Sequence, residues 1–130
     1  MKKVLIIFCV FLLSNSLTAQ KKAVVKEEIF SSFLKKFKEN EEFQLSRVNF
    51  PLTVKVNNDD FELVDYVIAK KDYKMVKLND KGSQYQQNEN PKNNTIIIKQ
   101  RGKDNGIFID YVFMNKKGLW YLKTWVDMST

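Results

Sequence analysis

The stretch TIIIKQRGKDNGIFIDYVFMNKKGLWYLKTWVDM, residues 95 to 128, limits the fold more than any other part of the chain. It holds three strand-length runs rich in β-branched and aromatic residues, at 95–101, 107–114 and 119–127, separated by two short glycine-bearing turns. Connections this short join only antiparallel neighbours, so the runs form a meander. A sheet with one apolar face needs a second layer to cover it. The sequence upstream supplies one. From Val24 to Glu39, apolar residues fall at 25, 29, 30, 33, 34 and 37, the spacing of one helical face. Glu27 and Glu28 come early and Lys35, Lys36 and Lys38 late, an order that suits the helix dipole. Phe30, Phe33 and Phe37 are expected to dock on the sheet.

The segment between is less regular. FQLSRVNFPLTVKV, from Phe43, reads as extended chain interrupted by Pro51, which predicts an edge strand or a strand start near 52–56. NNDD at 57–60 is a turn cluster, and FELVDYVI at 61–68 alternates as a strand does. AKKDYKMVKL reads as a short helix or an irregular link. Residues 79–94 are polar, carry Gly82 and Pro91, and predict a long surface loop; Asn93-Asn94-Thr95 within it serves only as a loop marker. One helix followed by mostly antiparallel strands gives an α+β fold, with the N-terminal helix packed on a curved sheet that ends in a C-terminal meander.

Strand parity suggests where a site could form. Trp120 and Trp125 are five residues apart and point to opposite faces unless a bulge intervenes. Asn-Lys-Lys-Gly at 115–118 suits a type I turn with a glycine bulge, placing Asn115 opposite Leu119, Met114 opposite Trp120, Val112 opposite Leu122, Asp110 opposite Thr124 and Phe108 opposite Val126. A tight two-residue turn would instead set Asp110 against Lys123 as a cross-strand ion pair. The bulged register turns Asp110 inward, where partial burial would raise its pKa and fit it to accept a proton, with Tyr66, Asp65 and Tyr111 as companions. The plainer alternative is a carboxylate bonded to Thr124 or backbone. The candidate ligand-binding set is therefore Phe108, Asp110, Val112, Trp120, Leu122 and Thr124.

The N-terminus MKKVLIIFCVFLLSNSLTAQ has a basic start, an apolar run from Val4 to Leu13 and a polar break, the layout of a secretory signal cut after Ala19. Residues 1–19 are thus expected to be a leader, 20–24 a short linker and 25–130 a single domain, periplasmic or secreted. The apolar run is too short for a stable membrane span. Cys9, the only cysteine, lies inside it, so the exported domain is expected to have no disulfide. Histidine is absent, which excludes Ser-His-Asp and Cys-His nucleophiles and His-based metal sites, and no cofactor is implied. The chain carries 22 basic and 15 acidic residues, but only Arg47 and Arg101 are arginines, which speaks against nucleic acid.

The N-terminal helix, the string FQLSRVNFPL and the ending FMNKKGLWYLKTWVDMS together resemble the exported bacterial family called domain of unknown function 4348, similar in fold to nuclear transport factor 2 (cystatin-like). The resemblance spans about residues 25 to 129 and is strongest at Phe43–Leu52 and Gly118–Ser129. It implies a cone-shaped sheet wrapped around helices, with an interior able to hold a ligand. The family carries no established activity. Enzymes of the wider fold use Asp, Tyr and His, so an isomerase or dehydratase built on this chain would rest on Asp110 and tyrosines alone.

Three functions compete. The first is a non-catalytic exported binding or accessory domain whose apolar pocket takes a small molecule or peptide, with a homodimer compatible with it. The second is a carboxylate-dependent lyase or isomerase with Asp110 as base, which requires Asp110 in a pocket within reach of Tyr66 or Tyr111. The third is a basic surface module for anionic envelope polymers, which requires Lys35, Lys36, Lys38 and Lys123 to share one side.

Overall fold

The computed structural model describes residues 26–78 and 82–130. The leader and linker expected at 1–24 lie outside these residues. The chain forms helices α1 (Phe30–Glu39) and α2 (Glu41–Ser46), then strands β1 (Leu52–Asn57), β2 (Leu63–Ile68), β3 (Ser83–Asn90), β4 (Thr95–Gly102), β5 (Phe108–Lys116) and β6 (Leu119–Asp127). The six strands make one sheet in the order β2-β1-β6-β5-β4-β3. All neighbours are antiparallel except β1 and β6, which run parallel. The α+β class and the meander β4-β5-β6 follow the sequence reading.

Helix α1 lies on the inner face of the sheet. Its Phe33 and Phe37 are fully buried, and both rings meet Phe113 of β5 edge-on at centroid distances of 5.7 and 5.3 Å. Phe30 does the same against Phe113 and Trp120. Leu52 and Val54 of β1, Ile96 and Ile98 of β4 and Leu122 of β6 complete this core. Burying each such side chain contributes roughly 1.5–3 kcal/mol, which makes this face the main source of stability.

The helix begins at Phe30, later than the periodicity suggested, because Glu28 is held elsewhere. Its backbone N–H donates to the Gly118 carbonyl, its own carbonyl accepts from the Trp120 indole, and its carboxylate takes the Trp120 backbone N–H and both terminal nitrogens of Arg47. Burial raises the Glu28 pKa, but the Arg47 hydrogen bond, the Trp120 N–H and the Arg47 charge outweigh it and leave the carboxyl below its ordinary value.

Two readings of the middle region need correction. The FQLS part of FQLSRVNFPL is helical, since the Asn40 side chain caps α2 by accepting from the Phe43 N–H. Gln44 of this helix is fully buried and fully bonded: its amide nitrogen donates to the Phe37 and Val76 carbonyls, and its oxygen accepts from the Val76 N–H and the Tyr73 hydroxyl. Burial pushes the Tyr73 phenol well above its ordinary range. At Pro51 the strand-start reading holds, since β1 begins at Leu52, and the edge alternative does not, because β1 is flanked by β2 and β6. Most of the expected 79–94 loop is strand β3, an edge strand of sequence SQYQQNEN that buries little and so shows no hydrophobic period.

A third correction concerns the terminal hairpin. Lys116 pairs with Leu119 across a two-residue turn at Lys117 and Gly118, both with positive φ, which matches the twist of the strands. The pairs Asn115 with Trp120, Met114 with Tyr121 and Phe113 with Leu122 follow. The register then shifts, because Lys123 is an extra residue in β6, and continues as Val112 with Thr124, Tyr111 with Trp125 and Asp110 with Val126. The irregularity sits at Lys123 instead of Gly118. It restores both tryptophans to one face: Trp120, Leu122 and Trp125 all share the inner face with Tyr111 and Phe113.

Candidate functional site

Beyond the end of the sheet covered by α1, the inner face opens into a cavity of about 280 Å³. Its floor is Ile109 and Tyr111 of β5 and Trp125 of β6, and β2 contributes Ile68 and Tyr66 as one wall. The link after β2 closes the opposite side with Asp72, Lys74 and Val76. Alternation puts these strand residues on one face, and the Lys123 bulge adds Trp125 to them. The Tyr111 and Trp125 rings meet edge-on at 6.0 Å. The Tyr111 hydroxyl donates to the buried Gln100 at 3.4 Å, and Gln100 donates in turn to the Ser83 hydroxyl, so the floor is tied to β4 and β3. Asp127 stands at the rim and accepts from the Ser129 N–H. An apolar aromatic floor with carboxylates and a lysine at the rim can hold a small ligand by burial and orient it by one polar end.

A second groove of about 430 Å³ runs between Glu27, the turn after β3 and the β5-β6 turn. It is larger but more polar, lined chiefly by Glu89, Asn90, Asn94, Asn115 and Lys117, with Pro91, Ile96 and Trp120 as its apolar members. The aromatic cavity is the better candidate.

The six residues proposed from the sequence divide between the two faces. Trp120 and Leu122 point inward, but under α1: Leu122 is fully buried and Trp120 meets Phe30 at 5.0 Å. Asp110, Val112 and Thr124 lie on the outer face, and so does Phe108 at its end. Asp110 is 2.9 Å from the Arg101 guanidinium, an ion contact rather than an aligned hydrogen bond, and that guanidinium stacks 3.5 Å over the Phe108 ring. Thr124 donates to the Thr53 carbonyl, not to Asp110. Asp110 is thus on the opposite side of the sheet from Tyr66 and Tyr111, and the inward-facing base is corrected to an outer-face ion pair. Asp65 is likewise paired with Lys55 at 2.7 Å on the outer face. Lys123 is on the outer face too, whereas Lys35, Lys36 and Lys38 are on α1 across the sheet, so these four lysines do not share one side.

Besides Asp72, Lys74 and Val76 of the link after β2, the cavity residues missed from the sequence are Ile68, Ile109, Trp125 and Asp127. The alternation in FELVDYVI and GIFIDYVF contained Ile68 and Ile109, but choosing a face required the bulge. Among the described residues, no helix is long and apolar enough to cross a membrane, and no cluster of three acidic side chains could hold a metal ion.

No family model and no curated protein matches the chain. Solved structures do. A nuclear transport factor 2-like protein from Bacteroides fragilis, known from a crystal structure, superposes with a TM-score of 0.63 at 20% identity, over 80% of this chain and 48% of that one. The fold is nuclear transport factor 2-like. A protein from Bacteroides uniformis, known from an NMR structure, is also similar, with a TM-score of 0.55 at 19% identity over 78% of this chain and 77% of that one. The chain spans about half the length of the Bacteroides fragilis protein. In the curved mixed sheet of this fold, the aromatic cavity occupies the open inner face.

Proposed function

We propose that this chain is an exported, non-catalytic binding or accessory domain, a member of the domain of unknown function 4348 family, that holds a small, mainly apolar ligand in the inner-face cavity. The observation that carries the reading is the cavity floor built from the buried Tyr111 and the half-buried Ile109 and Trp125, at the end of the inner face away from the α1 contacts with Phe113 and Trp120. At about 280 Å³ the cavity falls just below the ~300–1,000 Å³ usual for ligand sites, so the ligand is small. Asp72, Lys74 and Asp127 at the rim would meet its polar end.

A fluorescent apolar probe, anilinonaphthalene sulfonate, tests this. The purified protein should enhance the probe's emission, Ile109→Arg should abolish the enhancement, and Val112→Lys on the outer face should leave it in place. Equal emission from the two variants would show that the probe binds somewhere else and would remove the basis for the reading.

A further inference from the structure

We propose that the β2 edge of the sheet pairs with β2 of a second copy of this chain, in antiparallel register about Tyr66. Strand β2 is an outermost strand, and it is unusually apolar for one. Leu63, Val64, Tyr66 and Val67 are 44%, 39%, 57% and 58% exposed, and Phe61 just before them is 73% exposed. An outermost strand presents unpaired backbone N–H and C=O groups, and proteins usually protect it with a proline, a bulge or an outward lysine. Strand β2 has none of these. Its one charge, Asp65, is held by Lys55 of the neighbouring strand. Phe61 also has positive φ, in a turn fixed by the Asn58 side chain accepting from the N–H groups of Asp60 and Glu62, so a bulky ring is displayed at some cost in backbone strain. The opposite edge, β3, carries glutamines and asparagines and no aliphatic residue.

Charge along β2 selects the occupant. Asp59, Asp60 and Glu62 lie at its start, and Lys70 and Lys71 follow its end. A strand paired antiparallel with itself brings its acidic end to the basic end of the other copy, twice, as two-fold symmetry requires. A two-fold axis perpendicular to the sheet keeps inner faces together, which allows only registers in which a residue meets itself. Centring on Asp65 sets two like charges face to face. Centring on Tyr66 sets Val64 against Ile68 and Asp65 against Val67 within the strand, and brings Glu62, just before β2, toward Lys70 at the start of the 3-10 turn Lys70–Asp72 of the other copy. Centring on Val67 leaves Asp65 opposite Ala69 and Val64 opposite Lys70. Of these three registers the middle one alone joins apolar with apolar and acid with base. Within one chain Glu62 and Lys70 stand at opposite ends of β2 and cannot meet.

Sedimentation equilibrium of the purified protein at roughly 10 to 500 μM should show a reversible dimer. Val67→Asp, which sets two carboxylates side by side at each Asp65, should weaken it by about tenfold or more, and Val67→Lys should weaken it less. Glu62→Lys should cost about fivefold, and Glu62→Lys combined with Lys70→Glu should return affinity to within about twofold of the parent. Far-ultraviolet circular dichroism verifies folding, and the charge-swap pair keeps the test decisive if Val67→Asp does not fold. A monomer over the whole range would overturn the proposal, as would a dimer indifferent to both Val67→Asp and the charge swap. A monomer that binds a different polypeptide along β2 would equally rule out the second copy.

Discussion

Along β5, Ile109, Tyr111 and Phe113 alternate with Phe108, Asp110 and Val112, and the two sets have opposite fates. The inner set is covered by α1 at one end and opens into an aromatic cavity at the other. The outer set carries an Arg101–Asp110 ion pair and a guanidinium stacked on Phe108. Both sets hold aromatic and aliphatic residues, so composition does not separate them. What separates them is the pairing with β6, where one extra residue at Lys123 brings Trp125 to the same face as Trp120. The lesson is that a single bulge can decide which residues of a strand belong to a site.

Substitutions on the two faces should therefore differ in size. Phe113→Ala removes the ring that three phenylalanines of α1 meet edge-on, and should cost about 3–5 kcal/mol in urea unfolding. Val112→Ala on the outer face should cost about 1 kcal/mol in the same measurement. Comparable losses would break the contrast between the faces. Deletion of Lys123 tests its cause, because Trp120 and Trp125 then stand four apart and keep the inner face in an unbroken strand; stability should change by less than about 1 kcal/mol and the emission of Trp125 should stay where it is, whereas a red shift would contradict the bulge assignment.

The clamp at Glu28 sharpens the comparison from the covered end. Its folded pKa is lowered, so its contribution is fully present above the ordinary value of 4.5 and is lost as the pH falls through the lower folded value. Glu28→Gln should remove about 1–2 kcal/mol at neutral pH and flatten the acid limb of the stability profile. On the outer face, Asp110→Asn should change stability by less than about 1 kcal/mol, because its partner is a partly exposed arginine. An effect as large as that of Phe113→Ala would return Asp110 to consideration as a functional group.

The parts legible from the sequence are those with a hydrophobic period. Phe30, Phe33 and Phe37 carry the helix, and the three runs after Thr95 carry the meander, since each buries one face. Strand β3 was not legible, because an edge strand of glutamines and asparagines buries almost nothing and looks like a loop. Helix α2 is too short to show a period and depends on the Asn40 cap and the four hydrogen bonds of Gln44, three of which reach across to residues 73 and 76. The candidate site failed at the register. Turn residues at 115–118 suggested a bulge at Gly118, but the chain forms a tight turn there and places the extra residue at Lys123, an exposed lysine with nothing local to mark it. Asp110 and Trp125 consequently exchanged faces, and with them the expected pocket.

Native mass spectrometry of the protein purified from its own host tests most directly whether the inner-face cavity is a ligand site. The account predicts an additional small mass on the wild-type chain that is missing from Trp125→Ala and retained by Val112→Lys. A wild-type protein that carries no such mass and shows no thermal shift across a broad ligand screen would contradict it.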